Sequence, residues 1–223
     1  MTASIHAGLA EQDLLPAQHI ADTGYVNSKL FVDSHRDYAI DLIGPTRADN
    51  HWQAKTGTGF AAAEFVINWE AQQATCPSGK TSASWTPAID RFKNHVIKMK
   101  FAKADCQACP SSALCTRSHP PRRTITIRPQ AQHEALLAGR QREQTEQFAE
   151  LYAVRAGVEG TIAQGVRSCG LRRSRYIGQA RTHLQHLMTA AAMNLVRLLH
   201  WLAGEPKAAT PRSAFARLFP ATT

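Results

Sequence analysis

The stretch AQHIADTGYVNSKLFVDSHRDYAIDLIGP, Ala17 to Pro45, decides the fold class. AQHIAD reads as a short buried strand ending at Asp22, and TGY as a turn. NSKLFVDSHRD reads as a helix, and YAIDLIGP as a second strand closed by Gly44 and Pro45. A strand, a helix and a strand within about 30 residues predict a parallel β–α–β unit, because parallel strands need a crossover. The fold class is therefore α/β. Ahead of this unit, HAGLAEQDLL predicts a helix that stops at Pro16.

Beyond Pro45 the character changes. Helical periodicity is lost as far as about Pro129, and FAAAEFVINWEAQ, HVIKMKFA and RTITIRP alternate like strands. Four of the five cysteines fall here. The pattern predicts a small β-rich module set between helical parts. From Gln132 a long helix is expected over HEALLAGRQREQTEQFAELYAVRAGVEGTIAQGVR, with a break near Gly139 or Gly157. A basic loop, CGLRRSRYIG, follows it. A final helix is expected from Ala180 to Leu202, with Leu184, Leu187, Met188, Ala191, Leu195, Leu198, Leu199 and Leu202 at core spacing.

The formal charge of the 223-residue chain is +9, which favours a polyanionic partner, above all nucleic acid. The most apolar stretch, Leu187 to Gly204, is interrupted by Asn194, Arg197 and His200, which excludes a membrane span. The first residues have no export-signal pattern, so the chain reads as cytoplasmic. Its cysteines then read as thiols or metal ligands, not disulfides.

Cys76, Cys106, Cys109 and Cys115 supply four thiols from a CPSGK turn, a C-x-x-C turn and a following turn. Four such thiols can close a tetrahedral structural zinc site and cross-link a module with little core of its own. Unrelated buried thiols, a redox pair at Cys106 and Cys109, or an iron–sulfur cluster are the competing readings. Asp22, at a strand end, sits where open α/β sheets gather functional groups, although an aspartate there equally caps a turn. Tyr152, Arg155 and Glu159 have the spacing of one helical face. Spacing alone makes Arg155 and Glu159 a surface ion pair worth a few tenths of a kcal/mol.

Taken jointly, HIADTGYVNSKLF, DLIGPTRADNHWQ, FVINWEAQQATCPSGKTSASW, DCQACPSSALCTR and YAVRAGVEGTIAQGVRSCGLRRSRYIGQART resemble the C-terminal part of a bacterial insertion-sequence transposase of the DDE type. The group it is most similar to carries a cysteine-containing insertion before the catalytic glutamate. The resemblance implies a partial RNase H-like fold: residues 1–44 and 131–204 as core, 45–130 as the insertion, and 205–223 as a tail. It implies Asp22 as the second aspartate and Glu159 as the glutamate, holding Mg2+ or Mn2+ for DNA strand cleavage and transfer. Tyr152 and Arg155 would support Glu159. The family's lysine seven residues after the glutamate falls on Val166 here, with Arg167 next. Arg172, Arg173, Arg175 and Arg181 would contact phosphates of double-stranded DNA at the element's ends. A homodimer in a transposition complex is the implied assembly.

The family's first aspartate has no counterpart among the 21 residues before Asp22. The expectation is a truncated chain, inactive in cleavage by itself and in need of an upstream transposase fragment. The alternative is a non-catalytic zinc-containing DNA-binding protein or repressor.

Overall fold

The computed structural model describes residues 1–206, so most of the expected tail lies outside the described residues. The chain divides into two compact units, Met1–Tyr152 and the part from Ala153 onward.

The first unit begins with helix α1 (Thr2–Ala10), strand β1 (Gln18–Ile20), helix α2 (Ser28–Tyr38) and strand β2 (Asp41–Ile43). β1 and β2 are parallel, with Gln18 opposite Asp41 and Ile20 opposite Ile43. The expected β–α–β unit is present, but its strands are shorter than read. Asp22 keeps an extended backbone beyond the paired residues and caps the 3-10 turn Thr23–Tyr25. α1 also differs from its expected span, starting at Thr2 and ending at Ala10. The chain breaks helix geometry at Asp13, with φ 55°, before Pro16 can stop it.

Local chemistry fixes α2 at both ends. The Asn27 side chain accepts a hydrogen bond from the Leu30 N–H at 2.9 Å, satisfying one orphan donor. At the other end Ala39 turns left-handed (φ 55°, ψ 24°). Its N–H reaches the His35 carbonyl, and the Ile40 N–H reaches Ser34. This closure delivers Ile40, fully buried, into the first residues leading to β2. Ala21, Val26 and Leu42 form the small core beneath, with Leu30 and Phe31 of α2 packed on it. Gly44 is required there: a Cβ would stand 2.4 Å from the Ala21 carbonyl oxygen and 2.8 Å from Val26.

Next come helix α3 (Trp52–Thr56), strands β3 (Val66–Asn68), β4 (Gln73–Thr75), β5 (Ser82–Ile89) and β6 (His95–Phe101), helices α4 (Lys103–Gln107) and α5 (Ser112–Cys115), and strand β7 (Thr124–Ile127). β3 pairs with β4, while β5, β6 and β7 form an antiparallel sheet in that order. HVIKMKFA and RTITIRP supply strands as expected, but FAAAEFVINWEAQ yields only three strand residues. β5 was not anticipated, because Pro87 argues against a strand; it is tolerated since β5 is an edge. Helical turns also occur where periodicity is absent, at α3, α4 and α5. The core here is Phe65, Ala74, Met99, Phe101, Ile125 and Ile127, with Trp69 and Trp85 against it.

Helices α6 (Gln130–Arg142) and α7 (Glu146–Ala153) close the first unit. α6 packs on α2, where Gly139 faces Phe31 and Thr46. Its end is pinned twice: Arg142 makes a two-pronged contact with Asp41 at 2.8 and 2.5 Å, and Glu143 accepts the Thr46 N–H at 2.6 Å. Arg142 and the bonds it makes hold the Asp41 carboxyl below the usual carboxylate range.

The second unit holds α8 (Ala156–Cys169) and α9 (Gln179–Leu202). The single long helix expected from Gln132 is thus three helices, α6, α7 and α8, broken at 143–145 and 154–155, a few residues from Gly139 and Gly157. α9 has its expected length but is not a core helix in the described structure. Only Met193 is buried, and Leu184, Leu187, Leu195, Leu198, Leu199 and Leu202 are each at least half exposed. Gly157, Gly160 and Gly165 leave α8 little apolar surface with which to cover it. No described helix is long and apolar enough to cross a membrane.

Candidate functional site

Asp22 lies two residues past the carboxyl end of β1. Its Oδ1 accepts the Thr23 N–H at 2.9 Å and the Tyr152 hydroxyl at 3.3 Å. The Tyr152 ring stacks on Phe148, 5.5 Å between centroids and 7° from parallel, and Phe148 is buried. A side chain of α7 therefore reaches back across 130 residues to aim at the strand-end carboxylate. Capping and positioning are compatible: the same bonds that close the turn fix the direction of the carboxylate.

The single helix expected to carry Tyr152, Arg155 and Glu159 is interrupted between Tyr152 and Glu159. α7 ends at Ala153, and a turn through Val154 and Arg155 precedes α8. Val154, in that turn, and Gly157, just after it, are both poor helix formers. Tyr152 belongs to the first unit, Arg155 and Glu159 to the second. Glu159 lies in the first turn of α8, where the helix dipole favours an acid. It is 69% exposed and pairs with Arg155 at 3.3 Å. Further along α8, Val166 is half-buried and Arg167 exposed, its Nε directed to the Ala163 carbonyl at 3.4 Å.

The basic loop between α8 and α9 is held in shape by neutral groups. Gly170 takes the left-handed conformation that ends α8. Gln185 of α9 accepts the Arg175 N–H at 2.9 Å and donates to the Arg173 carbonyl at 2.8 Å. Ser174 bonds the Tyr176 carbonyl at 2.7 Å and the Thr182 hydroxyl at 3.1 Å. The loop thus presents Arg172, Arg173 and Arg175 outward, with Arg181 exposed at the start of α9. Gln185 was not singled out in the sequence. A polar residue amid the apolar positions of a helix facing a charged loop was the available signal.

The four cysteines converge on one hollow of about 220 Å³, shared with Phe60, Phe101 and Arg123. All are free thiols. Two backbone N–H groups point at sulfur: Lys80 to Cys76 at 3.4 Å and Arg123 to Cys106 at 3.5 Å, while the Ser78 hydroxyl lies 3.5 Å from Cys109. Burial pushes the Cys115 thiol up, and the three neighbouring thiols add to that push against the Arg123 guanidinium. Yet among the described residues no group of three or more His, Cys, Asp or Glu side chains is placed to hold a metal ion. The donor set suits zinc in kind. Cys169 lies in the second unit. Arg123, also unforeseen, organises the hollow's rim by donating to the Cys115 and Phe60 carbonyls at 2.9 and 3.1 Å.

A protein-family model described as a transposase DDE domain matches residues 75–199. That span contains Tyr152, Arg155, Glu159, the basic loop and all five cysteines. No curated protein and no solved structure matches the chain.

Proposed function

Because the chain belongs to the transposase DDE-domain family, we propose that it takes part in metal-dependent cleavage and transfer of DNA strands on an RNase H-like core. The family match over more than half of the chain carries this reading. Asp22 and Glu159 are read as two of the carboxylates that hold Mg2+ or Mn2+. Such an ion, when bound, activates water or a 3′-hydroxyl and stabilises the leaving oxygen. The residues' own part is orientation. Tyr152 and the Thr23 N–H fix one oxygen of Asp22, and Arg155 restrains Glu159. Arg172, Arg173, Arg175 and Arg181 neutralise phosphates of the duplex at the element's ends. Arg167 is a further candidate for that role. Two ends call for two copies of the chain.

The test is excision of the encoding element in cells. Asp22→Asn or Glu159→Gln should lower excision by on the order of 100-fold or more, as for loss of a group acting on the reacting atoms, while the purified chains still bind duplex DNA. Undiminished excision in both variants sinks the catalytic reading. It would favour a DNA-binding protein without cleavage.

Cys76, Cys106, Cys109 and Cys115 are read as ligands of a structural zinc ion. The convergence of four thiols with N–H donors on two sulfurs supports this, and the thiols would have to draw together around the ion. Metal analysis should find about one zinc per chain, lost with Cys106→Ser. Folded, zinc-free wild-type protein retires that assignment.

A further inference from the structure

The sheet β5–β6–β7 has two unlike faces. Cross-strand partners share a face, so the register sorts them without ambiguity. One face carries Trp85, Met99 and Ile125, then Pro87, Ile97 and Ile127, and all of these but the exposed Pro87 belong to the Phe65–Phe101 core. The other carries Ser84, Lys100 and Thr124 in one row, then Thr86, Lys98 and Thr126 in the next. Lys100, Thr86, Thr124 and Thr126 are exposed, and Lys98 and Ser84 half so.

A solvated sheet face ordinarily mixes charges, because opposite charges across strands attract. In these two rows both lysines have hydroxyl neighbours on both sides and no carboxylate. Among the described residues neither lysine makes an ion pair. Two lysines two residues apart on a strand stand about 7 Å from each other, flanked by donors. Lysine charge with hydroxyl donors is the chemistry of backbone phosphate contacts. A rigid, paired sheet removes the backbone's ordering cost on binding and leaves only that of the side chains.

We propose that this face is a second DNA-contacting surface, gripping the phosphate backbone of duplex DNA separately from the arginine loop of the second unit. The inference rests on the transposase reading, which supplies duplex DNA as the partner. It adds which part of the β-rich segment engages that DNA and how.

The experiment measures binding of the full chain to a random-sequence 20-base-pair duplex across a salt series. Each phosphate contact adds about 0.9 to the slope of log affinity against log salt. Lys98→Gln with Lys100→Gln should reduce that slope by about 1.8 and weaken binding at low salt. The double arginine variant, Lys98→Arg with Lys100→Arg, should restore both. Arg172→Gln with Arg173→Gln serves as the second arm. If that pair lowers the slope while the lysine pair leaves affinity and slope at wild-type values, the sheet-face inference is overturned and the transposase reading stands. If the wild-type chain binds no duplex at all, both fall. Binding to single-stranded RNA that depends on the lysines, without such dependence for duplex DNA, also overturns the proposal.

Discussion

The β1–α2–β2 core and the α8–α9 pair answer the same problem differently. Each presents an amphipathic helix that needs a partner. α2 finds one on either side: the Ala21–Val26–Leu42 core beneath it and α6 against it. α9 meets a glycine-bearing α8 and, within its own unit, buries only Met193. Periodicity announces which face of a helix is apolar. It does not announce whether another element carries enough apolar surface to cover that face.

The largest expected difference between the two regions lies at their glycines. Gly44→Ala would drive a methyl into a backbone carbonyl, and overpacking of this kind costs about 1–3 kcal/mol. Gly165→Ala meets the Met193 sulfur at 3.0 Å, the end of a flexible side chain, and should cost less than about 1 kcal/mol. Peptide-resolved hydrogen exchange reads each unit separately; equal losses at the two sites would erase the distinction.

Acid should separate the regions next. His6 is buried with its Nε2 2.7 Å from His19 Nδ1, and its pKa is lowered by burial first and by His19 second. Burial also lowers His19 and, on α6, His133. Each is held neutral when folded, so the unfolded chain binds more protons as pH falls below about 6.5. Their contribution is full above that pH and is lost as pH drops through the lowered folded values. Protection of the first unit's amides should therefore fall as pH drops below about 6.5, well before the Asp41–Arg142 pair is lost below about pH 4. Constant protection across that range would remove the histidines from the account.

The smallest effect concerns a cap. Ala39 sits at φ 55°, where glycine pays no Cβ penalty. Ala39→Gly should raise the thermal midpoint of the first unit slightly, by a net gain under about 1 kcal/mol. Tryptophan fluorescence suits this measurement, because Trp52, Trp69 and Trp85 lie in the first unit and Trp201 in the second. A lowered midpoint would mean that the alanine methyl contributes packing at that turn.

These contrasts also mark what the sequence could reveal. The β–α–β unit was legible because Asn27, the apolar positions of α2 and the Gly44–Pro45 stop are local signals. The strands β6 and β7 were legible from alternation. β5 was hidden by Pro87, which only an edge position excuses. The break at Val154–Arg155 could be read only to its neighbourhood, because neither residue forbids a helix and Gly157 marks the region without fixing the position. For the candidate site, the strand-end position of Asp22 and the grouping of the thiols could be read from the chain. The Tyr152–Asp22 bond could not, since a contact across 130 residues depends on where α7 lands. Nor could Gln185, whose task is visible only once the loop lies beside it.

The chain leaves the first core at Thr46 and returns beside the same point at Glu143, two residues joined by one hydrogen bond across 97 positions. The entropy of closing such a loop grows only with the logarithm of its length, about 0.6 kcal/mol for each doubling. Once the Thr46–Glu143 and Asp41–Arg142 contacts are made, extra residues between them cost the core almost nothing. Length can therefore be gained or lost between these contacts with little penalty. A chain built this way can acquire a new surface there without redesigning the core that carries it.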